Sequence, residues 1–146
     1  MKAIELMIGD CVLTLDATHK EKVFAQVDAI EEGKRSILVT RECSNWFVDI
    51  DWIEPIPLTE KILEKNGFTY CLTAPCGYYH APVCDMFDVL FHASEDTYED
   101  TWHTEVFTDH NDSNFVLYNL CYVHELQHAL RICGLNELAD NFKLEE

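Results

Sequence analysis

The sequence predicts an α+β protein in which a small SH3-like β-barrel unit over residues 1–56 is followed by a small α+β unit over 57–146, with a helix at about 122–133 near the C-terminus. Three observations carry this expectation. Four short segments rich in β-branched and aromatic residues crowd into the first 56 positions, separated by polar breaks. Pro55 and Pro57 then end the β region, and a segment with helix-capping residues at both ends follows. Finally, Tyr122, Val123, Leu126, Ala129, Leu130 and Cys133 recur at helical spacing. A chain of 146 residues with 48% apolar content can bury a real core, as one domain or two very small ones.

In the first unit the strands are "CVLTLD" (11–16), "KVFAQVDAI" (22–30), "SILVT" (36–40) and "WFVDI" (46–50), with Gly33 of "EEGKR" at a hairpin turn. Four strands at this spacing suggest a small barrel of SH3-like type. In "IEPIPLTEKILEKNGF" Thr59 can cap a helix over 60–66, and Gly67 can supply the left-handed residue that ends it. Leu58 and Leu63 are placed as a hydrophobic staple, and Phe68 can fold back on Leu63. The boundary between the units falls at 55–59.

The second unit begins with a turn-rich stretch, "CLTAPCGYYHAP" (71–82), followed by a strand in "VCDMFDVLFH" (83–92). An acidic loop, "SEDTYEDTWH", opens the acidic stretch 94–112, and "HTEVFTDHNDSNFVLYN" reads as two strands joined by a polar turn at 111–113. Gly134 stops the last helix, and the polar tail "NELADNFKLEE" is expected to be partly ordered at most. There is no internal repeat and no coiled-coil heptad.

The formal net charge of −17 would repel phosphate backbones, so direct nucleic-acid binding is not expected. The N-terminus lacks the apolar region and cleavage site of a signal peptide, and no apolar run reaches the roughly 20 residues that span a bilayer. A soluble cytoplasmic protein without membrane contact is expected. Seven cysteines, an odd number with no C-x-x-C pair, read as reduced thiols, mostly small core residues. Between Lys65 and Arg131 there is no Lys or Arg, while ten Asp or Glu fall in that interval. Such a negative surface serves solubility, or it imitates nucleic acid and occupies a basic groove on a partner. The residues that would bind are Glu95, Asp96, Tyr98, Glu99, Asp100, Trp102, Glu105 and Phe107, with carboxylates steering association and aromatic rings anchoring it. A calcium loop at 109–120 is excluded, because Asn114 stands where Gly is needed and Leu120 where Glu is needed.

His124, Glu125 and His128 form an H-E-x-x-H string, in which two imidazoles four apart on a helix bind zinc and the Glu activates a water. With seven His and fifteen Glu the string arises in about 3% of random orders of this composition. The two His point away from the apolar stripe, so the pair is expected in solvent, and the x-x-G-x-x-H continuation that would supply a third ligand is absent. The alternative of a small zinc hydrolase, with His124 and His128 as ligands and Glu125 as base, therefore stands second to a non-enzymatic protein with no cofactor.

Three segments, "KAIELMIGDCVL", "IEPIPLTEKILEKNGF" and "YVHELQHALRICGL", resemble a family of short uncharacterised proteins of gut Bacteroidetes, their prophages and mobile elements. Those proteins share an E-L-x-I-G-x-x-V opening, an I-x-P-I-P-L-T centre continuing to G-F, and a V-H-x-L-Q ending. The matching residues are Glu5, Leu6, Ile8, Gly9 and Val12; Ile53 to Thr59 with Leu63, Gly67 and Phe68; and Val123, His124, Leu126, Gln127 and Gly134. The resemblance implies a β-rich N-terminal unit joined to a small α+β unit and brings no activity with it. Similar proteins often have Gln in place of Glu125 and Asn in place of His128, which a catalytic base and a zinc ligand would not tolerate. The acidic stretch 94–112 and the cysteine count depart from the family pattern. The expected function is thus that of a non-enzymatic interaction protein of phage or mobile-element origin, acting through a protein partner such as a basic, nucleic-acid-handling host protein.

Overall fold

The computed structural model describes residues 6–31, 33, 35–73, 76–82, 87–92, 101–107 and 114–144, with the backbone alone at 73, 76, 87, 90–92, 101–107 and 114–119. The chain is mixed α+β, built on two antiparallel meanders. Strands β1 (Cys11–Leu15), β2 (Lys22–Ile30), β3 (Ser36–Arg41) and β4 (Ser44–Asp49) form the first sheet in chain order. Helix α1 (Glu60–Lys65) leads into the second sheet, β5 (Thr69–Thr73), β6 (Cys76–His80), β7 (Phe87–His92), β8 (Thr101–Phe107) and β9 (Asn114–Leu120), also in chain order. Helices α2 (Val123–Ile132) and α3 (Asn136–Asp140) follow.

Alternation along the first sheet sends Val12, Ala25, Val27, Ile37, Val39 and Val48 to one face, where they bury with Leu6 and Ile53. A short 3₁₀ turn, Ile50–Trp52, is capped by the Asp49 carboxylate, which accepts the Asp51 N–H at 3.0 Å. The chain then returns to β1: Leu13 and Glu54 exchange backbone hydrogen bonds of 3.0 and 2.8 Å. Trp46 of β4 donates its indole N–H to the Leu15 carbonyl of β1 at 3.0 Å, which draws the two edges of the sheet together. Among the described residues the sheet is open, with no closed barrel.

The ends of α1 follow the expected capping. The Thr59 hydroxyl accepts the Ile62 N–H at 3.3 Å, Gly67 takes a φ of +81°, and the Phe68 N–H reaches back to the Leu63 carbonyl at 3.1 Å. Leu58, Leu63 and Phe68 bury together in the main core. That core places Ile56, Leu58, Ile62 and Leu63 beside Val123, Leu126, Ala129 and Leu130 of α2 and against Tyr79, Val89 and Leu120 of the second sheet. Cys11 joins from β1, with Leu13 and Phe24 packed partly buried against it, so β1 and β2 carry apolar residues on both faces. Residues 56–58 run alongside the entry to α2, with Leu58 N–H to the Cys121 carbonyl and Val123 N–H to the Ile56 carbonyl, both at 2.9 Å. Side chains from before and after 55–59 therefore share one core.

Three expectations need correction. The stretch 71–82, read as turn-rich, contains the β5–β6 hairpin, in which Tyr70 pairs with Tyr79 and their rings sit 5.2 Å apart. Tyr, Cys, Leu and Thr on either side of the turn favour the extended pairing that the Pro and Gly signals masked. Of the acidic loop read at 94–103, residues 101–103 belong instead to β8, paired with β7 and β9, while the two strands read in 103–119 are present as β8 and β9. Trp102, Thr104 and Val106 supply a β-favouring residue at every second position, and this alternation outweighs the neighbouring charge. The tail is ordered through Leu144: Ala139 and Phe142 are buried in the main core, and Asn66 clasps Lys143 by two hydrogen bonds of 2.9 and 2.7 Å. Leu135, Leu138, Ala139 and Phe142 lie at helical spacing, a short stripe hidden among polar neighbours. No helix among the described residues is long and apolar enough to cross a membrane.

Candidate functional site

Helix α2 carries the H-E-x-x-H string, and its surroundings decide what the string does. The predicted stripe is buried: Val123, Leu126, Ala129 and Leu130 are all at most 1% exposed. The opposite arc is not in solvent as expected. His124 is 4% exposed, and Gln127 is fully buried because the turn at Gly9–Asp10 and the segment around Ala139 lie across it. Both arcs of α2 are covered, so the apolar stripe is buried as expected while the expected solvent-facing arc is not in solvent.

Gln127 is the centre of the contact. Its Oε1 accepts the Cys11 N–H at 2.8 Å, and its Nε2 donates to the Gly9 carbonyl at 3.1 Å and the Ala139 carbonyl at 2.7 Å. One amide thus joins β1, α2 and α3, and satisfies groups that burial would otherwise leave unpaired. Beside it the Asp10 carboxylate, wholly buried, accepts from His128 Nε2 at 2.8 Å, from Arg131 at 2.7 Å and from the Met7 N–H at 2.7 Å. Arg131 also reaches Asp140 at 3.1 Å. A carboxylate removed from water needs this many partners to remain stable. Gly9, at a φ of +91°, passes so close that a Cβ there would lie 2.6 Å from the Arg131 guanidinium. Burial pushes the neighbouring Cys11 thiol up to about 11, outweighing the hydrogen bond from Gln127 that acts in the other direction.

Glu125, the base of the zinc reading, caps its own helix. Its Oε2 accepts the Cys121 N–H at 2.7 Å and the Tyr122 N–H at 3.0 Å. The His124 ring stacks on Tyr122 and meets the His128 ring edge-on, each pair 5.8 Å between centroids. His128 is held by Asp10 and Glu125 by the cap, so both bonds would have to break before these three side chains could act on one ion. Among the described residues, no three of His, Cys, Asp and Glu come together as a metal would require.

Of the expected partner-binding residues, Trp102, Glu105 and Phe107 fall on β8, at register positions opposite Phe91, Asp88 and Asn114 respectively. Glu95, Asp96, Tyr98, Glu99 and Asp100 lie outside the described residues. Asp10, Gln127 and Arg131 were missed as a set because they are up to 121 residues apart in sequence. A fully buried Asp is rare enough that no local pattern announces one. A second pair that the sequence did not flag is His80 and Asp88, facing partners on β6 and β7 with Nδ1 to Oδ1 at 2.5 Å.

In comparisons with known proteins, no family model matches the chain, and no curated protein or solved structure matches it significantly.

Proposed function

We propose that this chain is a non-enzymatic interaction protein of phage or mobile-element origin, acting in the bacterial cytoplasm through a protein partner. The observation that carries the reading is the commitment of the H-E-x-x-H side chains to structure: Glu125 caps α2, and His128 pairs with buried Asp10. A helix whose polar residues hold the fold together has few groups left for hydrolysis. Charge supports the binding role, since residues 66–130 contain ten carboxylates and no Lys or Arg. Such a surface suits a basic partner, and one that handles nucleic acid presents a groove built for negative charge.

Membership in the family of short Bacteroidetes proteins fits the same picture. The three segments that carry the resemblance meet in space: Gly9 bonds to Gln127, and Ile56 and Leu58 bond to Val123 and Cys121. An SH3-like identity for the first unit is supported by the 3₁₀ turn after β4 and the return of Glu54 to β1.

Capture from bacterial lysate by the intact protein tests the proposal. A specific partner should be retained at low salt, released steeply as salt rises, and displaced by DNA or RNA. Charge reversal to Lys at Glu95, Asp96, Glu99 and Asp100 should abolish capture while the protein still folds. A folded reversal variant that keeps its partner would reduce the acidic face to a solubility device.

A further inference from the structure

Strand β5 ends the second sheet: among the described residues it pairs with β6 alone, and no strand lies beyond it. Such an edge offers a row of unpaired backbone groups, which proteins blunt with charge, proline or a bulge. Thr69-Tyr70-Cys71-Leu72-Thr73 has none of these. Residues 66–84 contain no Asp, Glu, Lys or Arg, in a chain where these make up 25% of all positions.

Hairpin geometry fixes which groups the edge presents. Two residues separate Thr73 from Cys76 in the chain, so that closing pair is of the hydrogen-bonded kind. Alternating from it, Thr69, Cys71 and Thr73 turn their backbone N–H and C=O toward β6, while Tyr70 and Leu72 turn theirs to the open edge. The side chains of Tyr70 and Leu72 share the face of Tyr79, which buries in the main core, yet they are 51% and 79% exposed. Large apolar groups therefore reach the rim of a core face and are left uncovered.

We infer that β5 is where a second copy of this chain binds, antiparallel, about a two-fold axis through Cys71. The strand reads nearly the same in both directions, T-Y-C-L-T against T-L-C-Y-T, as an isologous contact requires. Thr69 then stands in register with Thr73 of the second copy and Tyr70 with its Leu72, an aromatic–aliphatic pair on each side of the axis. The phase agrees as well. Tyr70 and Leu72 carry the outward backbone groups and exchange hydrogen bonds, which leaves Cys71 opposite its own copy in the non-hydrogen-bonded position, with Cα atoms about 4.5 Å apart. Charge selects the occupant: a second copy carries the same −17 and meets least repulsion at an edge without charge, whereas a basic partner gains nothing there. Five residues a side fall short of the roughly 1,200–2,000 Å² of a stable interface, so the dimer is a weak one that concentration populates. The contact is separate from the acidic surface and does not rest on it.

Sedimentation of the full chain over a range of concentrations tests the inference. A monomer–dimer equilibrium should appear and strengthen as salt screens the like charges, the opposite of the salt dependence expected for a basic partner. Leu72→Lys, at a position already in solvent, should abolish the dimer, and Cys71→Ser should keep it. Mild oxidation with diamide, which takes up the two thiol protons and electrons, should cross-link two copies through Cys71, in a Cys43→Ser background as well, because about 4.5 Å between Cα atoms lies within disulfide reach. Hydrogen exchange of the unaltered chain covers the case of a variant that fails to fold: the Tyr70 and Leu72 amides should gain protection as concentration rises. A chain that stays monomeric at every concentration, a dimer that survives Leu72→Lys, a disulfide formed only through other cysteines, or Tyr70 and Leu72 amides protected only by a foreign peptide would overturn it.

Discussion

The Gln127 side chain accepts the backbone N–H of Cys11, 116 residues away in sequence, at 2.8 Å inside a fully buried contact. Replacing Gln127 by Leu leaves the Cys11 N–H and the Ala139 carbonyl without this partner, each at about 1–3 kcal/mol, while the Gly9 carbonyl keeps a hydrogen bond from Gln26 at 3.0 Å. Urea unfolding of Gln127→Leu should therefore show a loss far beyond that of a surface substitution. A change below about 0.5 kcal/mol would mean that the junction between β1, α2 and α3 does not hold the fold.

Glu125 separates a structural role from a chemical one. Glu125→Ala should lower stability by about 0.5–2 kcal/mol, the range for loss of a helix cap, whereas Glu125→Gln keeps an acceptor and should retain most of it. A general base would show the reverse pattern, since the amide cannot take a proton. Thermal unfolding of the two variants, beside a peptide-hydrolysis assay in the presence of Zn²⁺, distinguishes the cases.

Phe142 tests the docking of the tail. It is 7% exposed in the main core, and Phe142→Ala should lower stability by about 3–5 kcal/mol, with earlier hydrogen exchange in α3. A substitution without effect on either would return the tail to the loose state its polar composition suggested.

Alkaline pH should weaken the fold through Cys11. Its thiol is raised from 9.0 to about 11 by burial, so above pH 9 the unfolded chain loses a proton that the folded chain keeps. The folded state is favoured fully below pH 9, and by pH 11 it loses about 2–3 kcal/mol from this one group. The difference in urea stability between the unaltered protein and Cys11→Ala should shrink over that range, and exposed Cys43 should react with a thiol reagent at pH 8 well before Cys11 does.

Local signals were legible where neighbours along the chain decide the structure. The four strands of the first sheet, the Thr59 cap, the Gly67 stop and the apolar stripe of α2 rest on contacts within a few residues. Features set by distant segments were not. The polar arc of α2 looked solvent-facing because nothing near residue 128 says that Asp10 will lie across it. The β5–β6 hairpin was hidden by the turn signals of 71–82, of which Gly77 sits inside a pairing strand, opposite Leu72. For the candidate site the string of five residues was plain from the start, and its meaning came from partners 118 residues away.

A double-mutant cycle in urea unfolding, on Asp10→Asn and His128→Gln, tests most directly the central claim that the H-E-x-x-H string is structure rather than chemistry. The pair is 2.8 Å apart with the carboxylate fully buried, so the two losses should be non-additive by about 0.5–3 kcal/mol, with Asp10→Asn alone strongly destabilising. Additive effects, together with a His128→Gln protein as stable as the unaltered one but deprived of bound Zn²⁺, would contradict it and restore His128 as a ligand.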